Sequence, residues 1–497
     1  MKRYIILFAI TLFVPFLMQA QDFEDALRYS QFQVQGTARS GAMGNAFGAL
    51  GGDFTSVSIN PAGLGIYRSG EFVITPKSSF TKIESSYWGS NVEDTNHKFT
   101  LNNLSYVSSM SLAGRNEVGL ISVNIGIGYN RLKEFNSNAY VVGNKIDGSY
   151  MDYFADNANA DIWNDYYEEL AWNTDMLLYD EDNDEYWHDI QDAGYGQNQR
   201  KSISKSGSID EYSFAIGLNF NHKLYLGASW GIDYLYYRES SQIFEVDEQG
   251  NIPYFNEFRF NSYLRTSGYG NNFKFGAIFK PTHQIRLGVS IHTPTYYRLR
   301  DVFETSMYSY ITYDDGSEKY NEYSPTNSYD YKLQTPMRTT FSGAFIIAKS
   351  GLISVDYELV SYGKAKLKNG GDGYSFYDEN LDISKAYKTS GNLRIGGEYM
   401  ILKGVSLRGG YEWHQSAYNS YSFGASQLNS ESDLMVYSGG LGYRSGLFFA
   451  DVAYRYSVID NFDFPYSTPV SDIYPAPKMI RFNTVKHDVL FTIGYKF

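Results

Sequence analysis

Read backwards from its end, the chain alternates. Phe497, Tyr495, Ile493, Phe491, Val489 and Val485 fall on one face of an extended segment, and Lys496, Gly494, Thr492, Asp488 and Lys486 on the other. The same period recurs upstream. Phe448, Ala450, Val452, Tyr454 and Tyr456 oppose Asp451, Arg455 and Ser457, while Val405, Leu407, Tyr411 and Trp413 oppose Ser406, Arg408, Gly410 and Glu412. Leu393, Ile395 and Tyr399 oppose Arg394 and Glu398, and Tyr212, Phe214, Ile216, Leu218 and Phe220 oppose Ser213, Ala215, Gly217 and Asn219. A two-residue period marks strands with one apolar face. It does not by itself separate a soluble sandwich from a barrel.

The connections break the tie. Alternating segments number 14, starting near Glu71, His97, Val118, Glu211, Lys223, Phe258, Gln284, Tyr329, Leu352, Lys385, Val405, Asp433, Leu447 and Phe482. Short linkers (Ala113–Asn116, Asn221–His222, Pro281–His283, Ala348–Gly351, Leu402–Gly404, Arg444–Gly446) take turns with long ones (Glu84–Asn96, Leu132–Asp210, Asp247–Glu257, Asp301–Ser328, Leu367–Ser384, Ser416–Ser432, Asp460–Arg481). An even strand count with tight turns at one end and long loops at the other predicts an all-β fold: a transmembrane antiparallel barrel in a Gram-negative outer membrane. Trp230, Tyr234, Trp413 and Tyr495, near strand ends, fit its interfacial girdles. The barrel occupies residues 70–497, with a long acidic outer loop at 132–210.

Composition narrows the reading. The 497 residues include 47 Tyr, 33 Phe and 46 Gly but only 12 Pro and no Cys, which suits strands and removes disulfides, thiolate metal sites, cysteine nucleophiles and a lipoprotein anchor. Residues 1–20 read as a signal peptide: Lys2-Arg3, an apolar run from Tyr4 to Met18, then Gln19-Ala20, with cleavage after Ala20. Net charge is −13, which argues against nucleic acid as a partner because a phosphate backbone demands a basic face. Lumen-facing charges nearly cancel. Arg286, Arg338, Arg394, Arg408, Arg455, Lys486 and Lys496 stand against Asp356, Glu358, Glu398, Glu412, Asp451 and Asp488, so a solvated or mutually paired wall is expected rather than a charge-selective pore.

Residues 21–69 do not alternate. Asp22–Ser30 suits a short helix, and Thr37–Asp53 consists almost wholly of small residues. Ser58–Leu64 then carries Asn60-Pro61-Ala62-Gly63, turn chemistry in which Asn bonds nearby backbone and Pro fixes φ. A segment too short for a domain, yet bearing Phe47, Leu50, Phe54, Val57, Ile59, Leu64 and Ile66, reads as an internal plug or hatch.

The run Arg39-x-Gly41-Ala42-Met43-Gly44-x-Ala46-Phe47-x-Ala49, followed by Asn60-Pro61-Ala62-Gly63-Leu64 and a barrel, resembles the outer-membrane transporters of long-chain fatty acids and aromatic hydrocarbons, the FadL/TodX family, in a Bacteroidetes-type form. Gly268-Tyr269-Gly270 leading into Phe273–Pro281, and Arg286–Ser290 leading to Thr293-Pro294, extend the resemblance, which covers most of the mature chain. Gly51-Gly52 and Ile59 depart from it, standing where relatives often carry acidic and aromatic residues. The resemblance implies a 14-stranded barrel plugged by its hatch, passive uptake of a small hydrophobic ligand, and sideways exit through a kinked third strand. On that basis Asn60, Pro61, Ala62 and Gly63 form the gate, and Phe47, Leu50, Phe54, Ile59 and Leu64 the apolar ligand contacts. Ser122, Asn124, Gly126 and Gly128 mark the lateral opening. An apolar molecule gains about 0.8 kcal/mol per buried CH₂, so a greasy pocket is sufficient bait.

From Ile146 to Gln199 there are 15 acidic residues and no Lys or Arg. Ile162, Trp163, Tyr166, Tyr167 and Leu170 recur at helical spacing, so one or two short helices should cap the mouth, and Trp163, Tyr166, Tyr167 and Trp172 are the candidates for outer capture. Asp180–Asp184 fails the calcium-loop pattern because Glu185 replaces its Gly and Gln191 its bidentate Glu, so no metal is assigned. No cofactor is expected, nor an enzyme: His292 and His414 point inward without an evident partner, and no hydrolase or phosphate-binding motif occurs. The reading is a monomeric transporter surrounded by outer-membrane lipid and lipopolysaccharide. The alternatives are a protein-binding barrel resembling type IX secretion shuttle proteins, and a haem receptor, which the lack of a His pair disfavours.

Overall fold

The alternating segments pair into one sheet that closes on itself. The computed structural model describes residues 23–112, 118–347, 350–420, 425–467 and 473–497; the leader at 1–20, the turn at Ala113–Asn116 and part of Ala348–Gly351 lie outside them. Fourteen antiparallel strands form the barrel. They are β1 (Glu71–Tyr87), β2 (Ser90–Ser111), β3 (Leu120–Glu134, continuing as Ser137–Gly143), β4 (Asn198–Phe220), β5 (Leu224–Val246), β6 (Phe255–Phe279) and β7 (Ile285–His292, continuing as Tyr296–Tyr313). The circle goes on with β8 (Asn327–Gln334 and Arg338–Ile347), β9 (Gly351–Ser361 and Lys366–Asn369), β10 (Thr389–Leu402), β11 (Val405–His414), β12 (Leu434–Ser445), β13 (Phe448–Asp463) and β14 (Ile480–Lys496). Strand β14 returns to β1, from Glu71 opposite Lys496 to Ser86 opposite Arg481, and closes the sheet into a barrel.

The outward positions are the apolar set of the alternation. Phe72, Ile74, Phe214, Trp230, Phe275, Leu287, Phe341, Leu407, Val452 and Phe491 are all exposed, as a lipid-facing band requires. Short turns use residues that tolerate left-handed backbone, Asn221-His222 between β4 and β5 and Gly404 between β10 and β11, with φ of 55°, 54° and 81°.

At the other end the strands run farther than the hydrophobic pattern predicts. The long loop expected at Glu84–Asn96 is a tight turn at Trp88-Gly89, because β1 and β2 stay paired to Tyr87 opposite Ser90. The loop expected at Asp301–Ser328 is mostly strand, since β7 continues to Tyr313 and pairs there with an extra hairpin strand, Gly316–Tyr323. Polar residues on both faces hid these extensions: above the lipid, neither face of a strand needs to be apolar.

Candidate functional site

Residues 23–66 lie inside the barrel, folded by caps placed where the sequence offers them. Helix α1 (Phe23–Arg28) is followed by α2 (Ala38–Ala42), whose first turn is capped by Thr37. Asp53 caps the 3₁₀ turn Phe54–Ser58, accepting from Thr55 N at 3.0 Å, and Asn60 caps Pro61–Ile66, accepting from Ala62 N at 3.1 Å. Each side chain satisfies a backbone N–H that the start of a helix leaves without a partner.

The wall supplies the rest of the hydrogen bonds. Arg39 grips Glu398 in a forked pair (3.0 and 3.1 Å), Asn45 donates to Glu412 (3.0 Å), Gly48 N to Asp356 (2.9 Å) and Ser58 to Glu211 (3.0 Å). Other inward charges pair with one another: Arg408 with Asp451 (2.6 Å), Arg455 with Glu412 (2.7 Å), and Arg338 and Arg394 with Glu358 (3.2 and 3.3 Å). The lumen wall is thus paired rather than solvated. His292, expected without a partner, meets Ile59 O at 2.8 Å, and His414 meets Glu412 at 3.0 Å.

A belt of wall glycines receives the segment closely, Gly276 against the Asn60 side chain and five others against its backbone. A Cβ added at Gly217 would fall on Gly65, at Gly227 on Pro61, at Gly276 on Asn60, at Gly288 on Gly48, and at Gly396 and Gly410 on Met43. Close backbone approach is what the glycine surplus provides here.

The predicted contacts take other positions. Phe47, Leu50 and Ile59 form a buried cluster with Met43 and Ala344, and Phe54 and Leu64 one with Val107 and Ala215; none of the five lines a chamber described below. Asn60, Pro61, Ala62 and Gly63 are buried against β5 to β7, where Asn60 donates to Gly48 O (2.7 Å) and Ala277 O (3.3 Å). Asn124 donates to Leu64 O (2.8 Å) and Tyr67 O (3.1 Å), while Gly126 and Gly128 receive the Phe54 ring. At Ser122–Gly128, β3 is paired on both sides, so the wall there is closed.

The break lies farther along the strand. Pairing of β2 with β3 stops at Asn103 opposite Asn130, and Ser137–Gly143 pairs with β4 alone. A register shift between Arg131 and Lys133 bends β3 inward, where Leu132 and Phe135 pack with Tyr29 and Tyr237. Residues 31–36 run along the gap. Gln33 N donates to Leu132 O (3.0 Å), and Asn102 Nδ2 donates to Gln35 O (2.7 Å) and Gly36 O (2.5 Å). Glu134 crosses it, accepting from Lys77 (2.8 Å) on β1, Thr100 (3.0 Å) on β2 and Lys486 (2.9 Å) on β14.

Three adjoining chambers fill the space between this gap and the outer loops. The innermost, about 400 Å³, touches Leu27, Phe32, Gln35, Glu134, Phe135 and His414. A middle one of about 320 Å³ shares Ser137, Tyr418, Ile459, Asn461 and Thr484 with it. The outermost, about 460 Å³, shares Glu24, Ala425, Ser426 and Asp463 with the middle one and reaches Tyr150, Tyr167 and Phe260. Burial pushes the Asp25 carboxyl of α1 up to about 7 against the pull of Arg28.

The roof is the acidic loop. Helix α3 (Tyr150–Asn159) starts at a capping box in which Ser149 accepts from Met151 N and Asp152 accepts from Ser149 N. Helices α4 (Glu168–Asn173) and α5 (Asp189–Asp192) follow, and Phe154, Leu170 and Ile190 pack onto Phe258 and Phe260 of β6. Of Ile162–Leu170, where the spacing is helical, only Glu168–Leu170 is helix; Asp165–Tyr167 is a turn in which Asn164 accepts from both Tyr166 N and Tyr167 N. Of the four capture candidates Tyr167 lines the outer chamber; Trp163 and Trp172 are exposed and pack on Tyr186, and Tyr166 packs on Phe303. Asp180–Asp184 forms the turn of a small hairpin whose carboxylate Asp180 accepts from Asp182 N (2.9 Å). Burial pushes Asp189 up to about 6, opposed by His188.

A closed 14-stranded barrel with an apolar outer band, its lumen filled by its own N-terminal segment, defines the class: a β-barrel of the outer-membrane type. Among solved structures the chain is similar to a Pseudomonas aeruginosa FadL homologue, with a TM-score of 0.57 at 13% identity over 94% of this chain and 99% of that one. It is also similar to the P. putida toluene transporter TodX, with a TM-score of 0.51 at 13% identity over 94% and 99% of the two chains. At this identity the likeness is one of fold. No protein-family model and no curated protein matches the chain.

Proposed function

We propose that the protein is a passive outer-membrane passage for small hydrophobic compounds, with residues 37–66 as a hatch that shuts the straight path and the gap between β2 and β3 as the way out. One observation carries the reading: contiguous chambers run from beneath the roofing loop to a break in the β2–β3 pairing, along which residues 31–36 run and which Glu134 crosses. The fold shared with a FadL homologue and a toluene transporter supports it. The inner chamber mixes Phe32, Phe135 and Ile459 with Gln35 and Asn461, which suits a long-chain fatty acid, apolar with one polar end, better than an aromatic hydrocarbon. The roof favours a small molecule over a bound protein, and the inward histidines, each engaged by a neighbour, do not favour haem. We read the protein as a monomer and a non-enzyme.

Extraction of the full chain in mild detergent, followed by mass spectrometry of what accompanies it, tests the reading. Fatty or aromatic molecules in near-stoichiometric amount are expected. Recovery of a protein partner with no such molecule would overturn it.

A further inference from the structure

One stretch of the lipid-facing surface departs from the rest. On β5 to β7 the outward face carries Tyr234, Tyr269 and Tyr296, each about half exposed, with half-buried Tyr236 following Tyr234. Next above them, toward the long-loop end of β5 to β9, stand Arg238, Arg265, Arg298, Arg300, Lys332 and Lys368, all exposed. Register sets like charges side by side: Arg238 is opposite Arg265, and Arg298 is opposite Lys332, which is itself opposite Lys368. Directly opposed like charges on neighbouring strands are destabilising.

Elsewhere toward this end, outward cations have acids beside them, as Lys82 has Glu93, Arg131 has Asp210 (2.9 Å) and Arg481 has Asp460 (3.0 Å). Here Asp330 neutralises Arg300 in a forked pair (2.7 Å for each contact), and Glu304 lies farther out against Thr326 (3.2 Å). Among the described residues no acid forms an ion pair with Arg238, Arg265, Arg298, Lys332 or Lys368. A groove of about 300 Å³ runs over the same surface, lined by Ser267, Tyr269, Arg298, Arg300, Lys332 and Gly370.

We infer that this face binds the phosphorylated headgroup of an anionic lipid of the outer leaflet, its phosphate oxygens accepting from Arg298, Lys332 and Lys368. Height argues for a lipid rather than a dissolved anion. Arg298 stands two residues beyond Tyr296, about 7 Å along the strand, which is the headgroup layer just outside the hydrocarbon. A lipid seated there lays its acyl chains on the apolar positions below, Ile291 and Phe341 among them. Its charge removes the repulsion that the register builds in. Only the barrel's place in an outer membrane is required, not the nature of what passes through it, so this inference and the passage can fail independently.

The test is native mass spectrometry of the full chain against a bisphosphorylated glycolipid, the same glycolipid dephosphorylated, and phosphatidylethanolamine. The wild type should retain the phosphorylated lipid selectively. The triple variant Arg298→Gln, Lys332→Gln, Lys368→Gln should bind it on the order of 100-fold more weakly, at about fivefold per cation removed. Arg481→Gln, on the far side of the barrel, should leave binding unchanged, and equal heat-modified gel migration reports that each variant is folded. Equal retention of the dephosphorylated glycolipid, a loss under about threefold in the triple variant, or displacement of the lipid by millimolar inorganic phosphate would each overturn the inference.

Discussion

Gly288 on β7 is where the seating of the N-terminal segment is most open to measurement. A Cβ there would lie 2.6 Å from Gly48 O and 3.2 Å from Asn60 Nδ2, so Gly288→Val must push the segment off the strand. Four hydrogen bonds cluster around that contact: Arg286 to Leu50 O (2.5 Å), Ser290 to Ile59 O (2.7 Å), His292 with Ile59 O (2.8 Å) and Asn60 to Gly48 O (2.7 Å). Overpacking costs about 1 to 3 kcal/mol, and each bond lost about 1 kcal/mol. Since the segment will shift rather than lose everything, the net penalty should be about 2 to 5 kcal/mol, borne by the segment and not by the barrel. Amide hydrogen exchange in detergent reads this directly. Protection over residues 45–62 should fall by about 30-fold or more, while β12 to β14 keep theirs. Gly343→Val is the control, because a Cβ there meets nothing within 4 Å. Unchanged protection in Gly288→Val, or an equal loss in Gly343→Val, would refute the claim that wall glycines seat the segment.

Removing Ser149 from its cap tests the roof: Ser149→Ala forfeits its bonds to Met151 N (3.1 Å) and Glu245 (2.7 Å), and local stability of α3 should drop by about 1 to 2 kcal/mol, seen as faster proteolysis within 144–197 with the barrel intact. Asn102→Ala frees Gln35 O and Gly36 O, so residues 31–36 should exchange about tenfold faster and, on the proposed route, ligand release should quicken. Asp25 gives a pH dependence. Its carboxyl is raised to about 7 in the folded protein, so the stability it lends α1 is complete below about pH 4 and lost as pH rises through about 7. Exchange over residues 23–30 should accelerate across that window, and Asp25→Asn should flatten the profile.

Much of the fold is legible in the sequence because a lipid-spanning strand must keep one face apolar, and the start points near Glu71, Val118, Lys223, Gln284, Leu352, Val405 and Leu447 fall within a few residues of real strands. The rule lapses above the membrane, where Asn198–Ile209 and Val302–Tyr313 pair without needing to alternate, and there loops were expected. The candidate site is less legible. Composition points to apolar side chains as ligand contacts, but Phe47, Phe54 and Leu64 are the segment's own packing, 0% exposed, and the chambers touch Gln35, Glu134 and Phe135 instead. A signal for the gap was present in Arg131–Asn136, where the alternation of β3 fails, but a break in a strand's pattern does not say which neighbour it parts from.

How the segment could yield follows from where its bonds are spent. From Thr37 to Ile66 it is held by Glu398, Glu412, Asp356 and Glu211 and seated on glycines of six strands, so clearing the straight path would break many contacts together. Residues 31–36 have far less. Gln33 gives one backbone bond to Leu132, Asn102 holds two carbonyls, and Lys77 reaches the Gln35 side chain. These same residues separate the inner chamber from the gap between β2 and β3. On the proposed route, a sideways opening breaks fewer contacts than clearing the straight path, and the free energy of a local opening follows the contacts broken. The ligand would leave along the lipid-facing side, where an apolar chain is most stable. On this argument, tethering Gln33 to Leu132 by a cysteine pair should stop passage, whereas tethering the hatch to β11 through Asn45 and Glu412 should not, since that contact stays closed on the sideways route.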